Sequence, residues 1–196
     1  MRFSFFARGQ YLCTALLTAN GNLNNFLLAL VLCLDFMERN VCKLMNKIAS
    51  FTVDHTKIVP GIYLSRVDGD VTTYDLRTRK PNTGDVMENA VMHSVEHLFA
   101  TFVRNSEIGN DVIYFGPMGC QTGFYLLVRD AEHERILAVI KKILSDIIAY
   151  DGEMPGASEI ECGNYRNLSI SAAQKECRVY LEQVKEWTAE KLQYPN

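Results

Sequence analysis

The sequence predicts an α+β fold: a mixed, mainly antiparallel sheet with helices packed on one face. Three observations lead there. Strand-like segments come in two pairs, each bent around a short turn. A stretch of helical periodicity follows each pair, and a final helical segment closes the chain. The composition of the 196 residues, 48% hydrophobic and 22% charged, excludes wholesale disorder and a multi-span membrane protein.

Residues 1–44 differ in character from the rest. Phe26 to Phe36 reads FLLALVLCLDF, an apolar run of about ten residues, too short to span a bilayer. Arg2 and Arg8 precede it, but Asn20, Asn22, Asn24 and Asn25 interrupt the approach and no small-residue cleavage site follows. We expect 1–44 to be an extension, a translated stretch upstream of a true start at Met45 or Met37, with a targeting or anchoring leader as the alternative. The main domain is then 45–196.

Within that domain, FTVDH at 51–55 has strand-like content. GIYLSRV at 61–67, the turn Asp68-Gly69-Asp70 and VTTYDLRT at 71–78 read as a hairpin. Pro81-Asn82-Thr83-Gly84 breaks the chain, and Val91, Val95, Leu98, Phe99, Phe102 and Val103 then recur at helical spacing between Glu88 and Arg104. DVIYFG at 111–116 and TGFYLLVRD at 122–130 are strands flanking the bend Pro117-Met118-Gly119-Cys120. Ala131 to Tyr150 returns to helix, with Ile136, Leu137, Ile140, Ile143, Leu144, Ile147 and Ile148 on one stripe, and Met154-Pro155-Gly156 stops it. A last helix opens at Ser169 and is expected to run to about Leu192.

Charge and cysteine usage narrow the partners. Twenty basic against 23 acidic residues give a net −3, so there is no whole-chain basic field to draw the protein onto nucleic acid, and a small neutral or zwitterionic ligand fits better. Six cysteines without a CxxC pair are too sparse for a disulfide scaffold, which favours a reducing, cytoplasmic setting and thiols that act as ligands or acid/base groups.

His93-Ser94-Val95-Glu96-His97 is the sharpest feature. Four residues apart on a helix, the two imidazoles share a face and can converge on one metal ion, with Glu96 beside them. The H-x-x-E-H order is also that of inverzincin peptidases. A third ligand is expected downstream. Cys162, in the loop Glu161-Cys162-Gly163-Asn164, leads because a thiolate suits a divalent transition metal, while Glu159 or Glu161 would serve a peptidase. Cys120, in a glycine-flanked turn between two apolar strands, can act as an acid/base group, or as the fourth ligand of a closed structural site. Arg77 offers a planar fork for a carboxylate, although a sheet-face bridge to Asp75 fits it equally. His133 reads as a solvated residue with no role.

Taken in order, the blocks SFTVDH, YDLR with PN shortly after, HSVEHLFA, GPMGCQTGFYL and ECGNYRN closely resemble the S-ribosylhomocysteine lyase family, the LuxS family that makes the autoinducer-2 precursor. The resemblance covers the chain from about Ser50 to the C-terminal helix. It implies a cytoplasmic homodimer with active sites at the interface, and one divalent metal per subunit held by His93, His97 and Cys162. That metal would be iron(II), which zinc can replace. It further implies that Cys120 and Glu96 are the acid/base pair and that Ser50, His55 and Arg77 bind or orient the substrate, partly across the dimer. The implied reaction moves a sugar carbonyl by two isomerisations and then eliminates homocysteine, leaving 4,5-dihydroxy-2,3-pentanedione. No membrane or nucleic acid takes part. The chain departs from the family pattern at Thr78-Arg79-Lys80, at Tyr114-Phe115-Gly116 and in the N-terminal extension.

Overall fold

The computed structural model describes residue 31 and residues 47–195, so the expected boundary at 44/45 lies outside the described residues. Ala49–Asn196 forms one compact unit. Its sheet has four strands: β1 (Gly61–Asp68), β2 (Val71–Arg77), β3 (Val112–Pro117) and β4 (Gly123–Arg129). Three helices accompany them: α1 (Asn89–Arg104), α2 (His133–Ala149) and α3 (Ile170–Val184).

The strand order is β1-β2-β4-β3 and every neighbouring pair is antiparallel. The expected mixed sheet is therefore corrected to a wholly antiparallel one. The reason is topological. Strands β2 and β3, joined through α1, run in the same direction, but β4 returns by a short turn and slots between them, so two parallel strands never become neighbours. Strand β1 closes on β2 through Gly69, whose φ of +64° suits glycine at a tight turn, and the register runs from Asp68↔Val71 to Gly61↔Arg77.

The period-2 alternation of the strands decides what each sheet face carries. One face presents Ile62, Tyr74, Leu76, Phe124, Leu126 and Val128, which join the buried stripes of all three helices in a single core. Stacked Phe99, Phe115 and Phe124 rings, with centroids 4.3 and 5.2 Å apart, lie where α1 meets the sheet. The opposite face carries Tyr63 paired with Asp75, and Arg77 two residues further along β2, partly covered by Tyr194 stacked on Tyr63 at 5.0 Å.

Two expected elements differ from the sequence reading, one for a local reason and one because of a distant strand edge. Residues 51–55 are not a strand: Ala49–Phe51 is a 3-10 turn, and Asp54 accepts from the Thr56 amide (3.0 Å) and hydroxyl (2.6 Å), folding the segment into a turn. The last helix ends at Val184 rather than near Leu192. Beyond it, Trp187 Nε1 donates to Ile62 O (2.6 Å) over Gly61, where any Cβ would overlap the indole, and Leu64 N donates to Leu192 O (2.7 Å). Docking onto the free edge of β1 outweighs further helix. His133 is not simply solvated either: its Nδ1 and the Tyr74 hydroxyl share a hydrogen bond of 2.6 Å, fastening the start of α2 to β2. No helix among the described residues is long and apolar enough to cross a membrane.

Candidate metal centre and acid/base groups

Helix α1 buries Met92, Ser94, Val95, Leu98, Phe99 and Val103, which turns His93, Glu96 and His97 toward the flank left half-buried. The two imidazole rings stand 4.6 Å apart at 89°. Each is held by its Nδ1. His93 Nδ1–H donates to Asn167 Oδ1 and His97 Nδ1–H to Pro155 O, both at 2.8 Å, and because these oxygens only accept, a metal-binding neutral ring at either position must carry its lone pair on Nε2.

Cys162 completes the group. Its sulfur lies 3.4 Å from His93 Nε2, and the ligand atoms of His93, His97 and Cys162 all fall within 4.8 Å of one another. Two ligands bound to one ion at ordinary Zn–N and Zn–S lengths of about 2.0 and 2.3 Å and tetrahedral angles stand about 3.5 Å apart, so the spacing suits a common cation. The donor set, two imidazoles and one sulfur that also accepts from the Asn164 amide at 3.4 Å, fits a divalent transition metal and supplies three of the four ligands of a tetrahedral site among the described residues.

The loop that delivers Cys162 is fixed from both sides. Cys162 N donates to Ser158 O (3.0 Å), and beyond the loop the Ser169 amide donates to Ser94 Oγ (2.9 Å). Ser94 is fully buried inside the His-x-x-Glu-His stretch, and its hydroxyl in turn donates to Ala90 O (2.6 Å). On the other side Gly156, at φ +68°, passes so close to the imidazole that a Cβ there would lie 2.9 Å from His97 Nδ1. Asn167, Pro155 and Ser94 were not singled out from the sequence. A serine and an asparagine inside the quoted motifs were the available signals, but only the folded loop shows what they hold.

Glu96 is half-buried and makes no hydrogen bond or ion pair among the described residues. Glu161 is exposed with its carboxylate taken by Ser158 Oγ (2.5 Å), and neither Glu159 nor Glu161 belongs to the His-His-Cys group.

Cys120 is exposed in the turn between β3 and β4. Its sulfur meets Thr122 Oγ1 at 3.0 Å and lies 3.9 Å from Arg77 Nη1. The turn is strained at Gln121, φ +61°, and anchored by that same residue: Gln121 O accepts from Met87 N (3.0 Å), and its side chain donates to Asn89 Oδ1 (2.8 Å). Asn89 is four residues before His93, on the same face of α1, so the Cys120 turn sits at the start of the face that carries the imidazoles.

Arg77 is only 2% exposed and Asp75 is fully buried. Asp75 accepts from Arg77 Nε (3.1 Å) and Nη2 (2.5 Å) and from the Tyr194 hydroxyl (2.8 Å). Burial opposes the charge on Arg77, yet the Asp75 carboxylate lifts its pKa above the ordinary arginine value. Burial and then the same carboxylate push the Tyr194 phenol up. The bridge to Asp75 thus occupies the fork that was a candidate for gripping a carboxylate, and its remaining donor reaches the Cys120 turn. Ser50 and His55 are half-buried on the segment before β1. His55 Nδ1 donates to Val53 O (2.9 Å), and no hydrogen bond joins either residue to the His-His-Cys group.

An antiparallel sheet backed by helices, with two helix-borne imidazoles facing a loop sulfur and a separate exposed thiol in a strand turn, defines an α+β protein with a candidate metal centre. The chain belongs to the S-ribosylhomocysteinase (LuxS) family, whose model matches residues 48–191. Among its relatives is the S-ribosylhomocysteine lyase of Finegoldia magna, 49% identical over 156 residues, covering 77% of this chain and 99% of that protein. The proteins of that name from Desulfotalea psychrophila and Borreliella burgdorferi are 44% and 43% identical, covering 78% and 77% of this chain and the full length of each relative.

Proposed function

We propose that the protein cleaves S-ribosylhomocysteine to homocysteine and 4,5-dihydroxy-2,3-pentanedione, with a divalent metal held by His93, His97 and Cys162. The observation that carries this reading is the Cys162 sulfur at 3.4 Å from an imidazole nitrogen left free by the Asn167 bond. Family membership and relatives named for this activity support it. The metal, iron(II) with zinc as a substitute, supplies a Lewis acid that polarises the sugar carbonyl.

The remaining chemistry falls to the chain. Each isomerisation takes a proton from the carbon beside the carbonyl and returns one to the former carbonyl carbon, moving the carbonyl from C1 to C2 and then to C3. Glu96, without a hydrogen-bond partner among the described residues, and Cys120, exposed in its turn, are the groups assigned to hold that proton. Loss of the C4 proton then expels the sulfur on C5 as homocysteine, with no net redox change. Ser50 and His55 are assigned to the substrate from a neighbouring subunit of a cytoplasmic homodimer. Arg77, its fork held by Asp75, is assigned to orient the substrate indirectly, through the Cys120 turn that its Nη1 reaches at Thr122.

Two other readings fit the geometry less well. A peptidase needs a carboxylate third ligand, and a structural module needs a fourth. Among the described residues the ligand group contains neither, and Cys120 is engaged by Thr122. The test is anaerobic incubation with S-ribosylhomocysteine, following free thiol and measuring metal on the same sample. Thiol release proportional to bound metal is expected, and metal-replete protein that releases none would overturn the proposal.

A further inference from the structure

We propose that Thr122 is a positioning residue for Cys120, aiming its sulfur and bracing it through a relay that ends on α3; this rests on the acid/base role assigned to Cys120 above. Thr122 is buried, and both its polar groups are committed. Its hydroxyl oxygen accepts from Arg77 Nη1 at 2.6 Å, so its own proton is free to point at the Cys120 sulfur 3.0 Å away. A donor aimed at sulfur stabilises the negative charge that appears when the thiol gives up its proton. The hydroxyl thus stands between the buried cation and the thiol. The 3.9 Å gap from Arg77 to the sulfur is too long for a strong bond of its own.

The main chain of Thr122 is fixed as firmly. Its carbonyl accepts from the amides of Thr78 (3.0 Å) and Arg79 (3.1 Å). Arg79 in turn grips Glu176 on α3 with two bonds, Nη1 to Oε1 at 2.6 Å and Nη2 to Oε2 at 2.7 Å, and reaches Asp85 at 3.2 Å. Thr122 is the junction: the strand behind it, the helix beyond it and the thiol before it all meet there.

The test compares Thr122→Val, which keeps shape and removes the hydroxyl, with Thr122→Ser, which keeps the hydroxyl, in the full-length metal-loaded protein. Alkylation of Cys120 by iodoacetamide is followed at fixed pH by peptide mapping. Cys177, buried with its thiol pushed up to about 12, serves as the silent internal control. A hydrogen bond to a developing charge is worth roughly tenfold, so Thr122→Val should slow both Cys120 alkylation and kcat by about tenfold. KM should stay near the wild-type value, metal content should be full, and Thr122→Ser should recover most of the rate. Should valine lower the melting temperature, Thr122→Ala provides the same hydroxyl deletion without placing a methyl against Arg77. Wild-type alkylation in the hydroxyl-free variants, or a serine variant as slow as valine, would overturn the proposal. If the alkylation contrast holds while wild-type protein releases no thiol from S-ribosylhomocysteine, the lyase reading fails and the placement of Thr122 stands.

Discussion

Replacing Asn167 by alanine should loosen the candidate metal centre without touching a proposed ligand. In the intact protein the 2.8 Å bond from His93 Nδ1 to Asn167 Oδ1 selects the tautomer whose Nε2 lone pair faces Cys162 and stops the ring from turning about its axis. Alanine removes the acceptor, so both tautomers and both ring orientations become accessible. Partners of this kind typically change metal affinity by about 10- to 100-fold. Asn167 is half-buried, so water can take part of its place, and His97 keeps its own support from Pro155 O. We therefore expect the lower end, roughly tenfold or about 1.4 kcal/mol. Asn167→Asp keeps an acceptor and adds charge, and should hold or raise the affinity. Competition of cobalt(II) between protein and a chelator, read from the thiolate-to-cobalt charge-transfer band, measures the effect, with melting curves on the same samples. Equal affinity in the alanine variant and the wild type, to within about twofold, would refute the view that this bond orients His93.

Three further outcomes follow from the same geometry. Cys162→Ser should lose stoichiometric metal while the fold survives; full metal retention in gel-filtered protein would shift the third ligand to Glu159 or Glu161. Glu96→Gln should keep its metal and lower thiol release by ~10² to 10⁴, and near-normal release would remove Glu96 from the chemistry. Asp75→Asn leaves Arg77, at 2% exposure, facing a neutral partner, so unfolding stability should fall by about 3 kcal/mol or more, visible as a lower urea midpoint at unchanged slope.

Much of this layout was legible in the sequence, and its limits have physical causes. Period-2 and period-3.6 patterns located four strands and three helices because each element buries one face, and His93 and His97 could be paired because helical spacing is a local property. Where a side chain forms a stronger local bond, the pattern misleads: Asp54 folds FTVDH into a turn despite its strand-like residues. Where a distant edge competes, it misleads again, as at Trp187, whose bond to Ile62 O ends the helical course that Lys185 to Leu192 suggests. The third candidate ligand was open between Cys162 and two glutamates because loop sequence does not encode which side chain turns inward. The Tyr74–His133 bond, the support of His97 by a main-chain carbonyl and the buried Arg77–Asp75 pair all join residues far apart or groups every residue possesses. No spacing rule announces such contacts.

Helix α3 receives two tethers: the Ser169 amide at its start fastens the segment bearing Cys162 to Ser94, and Glu176 in its middle holds Arg79 beneath the turn bearing Cys120. One helix therefore keeps the candidate cation pocket and the Cys120 turn in a common frame. Substitutions that tilt it should disturb both together, so directed changes in substrate preference have more room in the segments before β1 than along this shared keel.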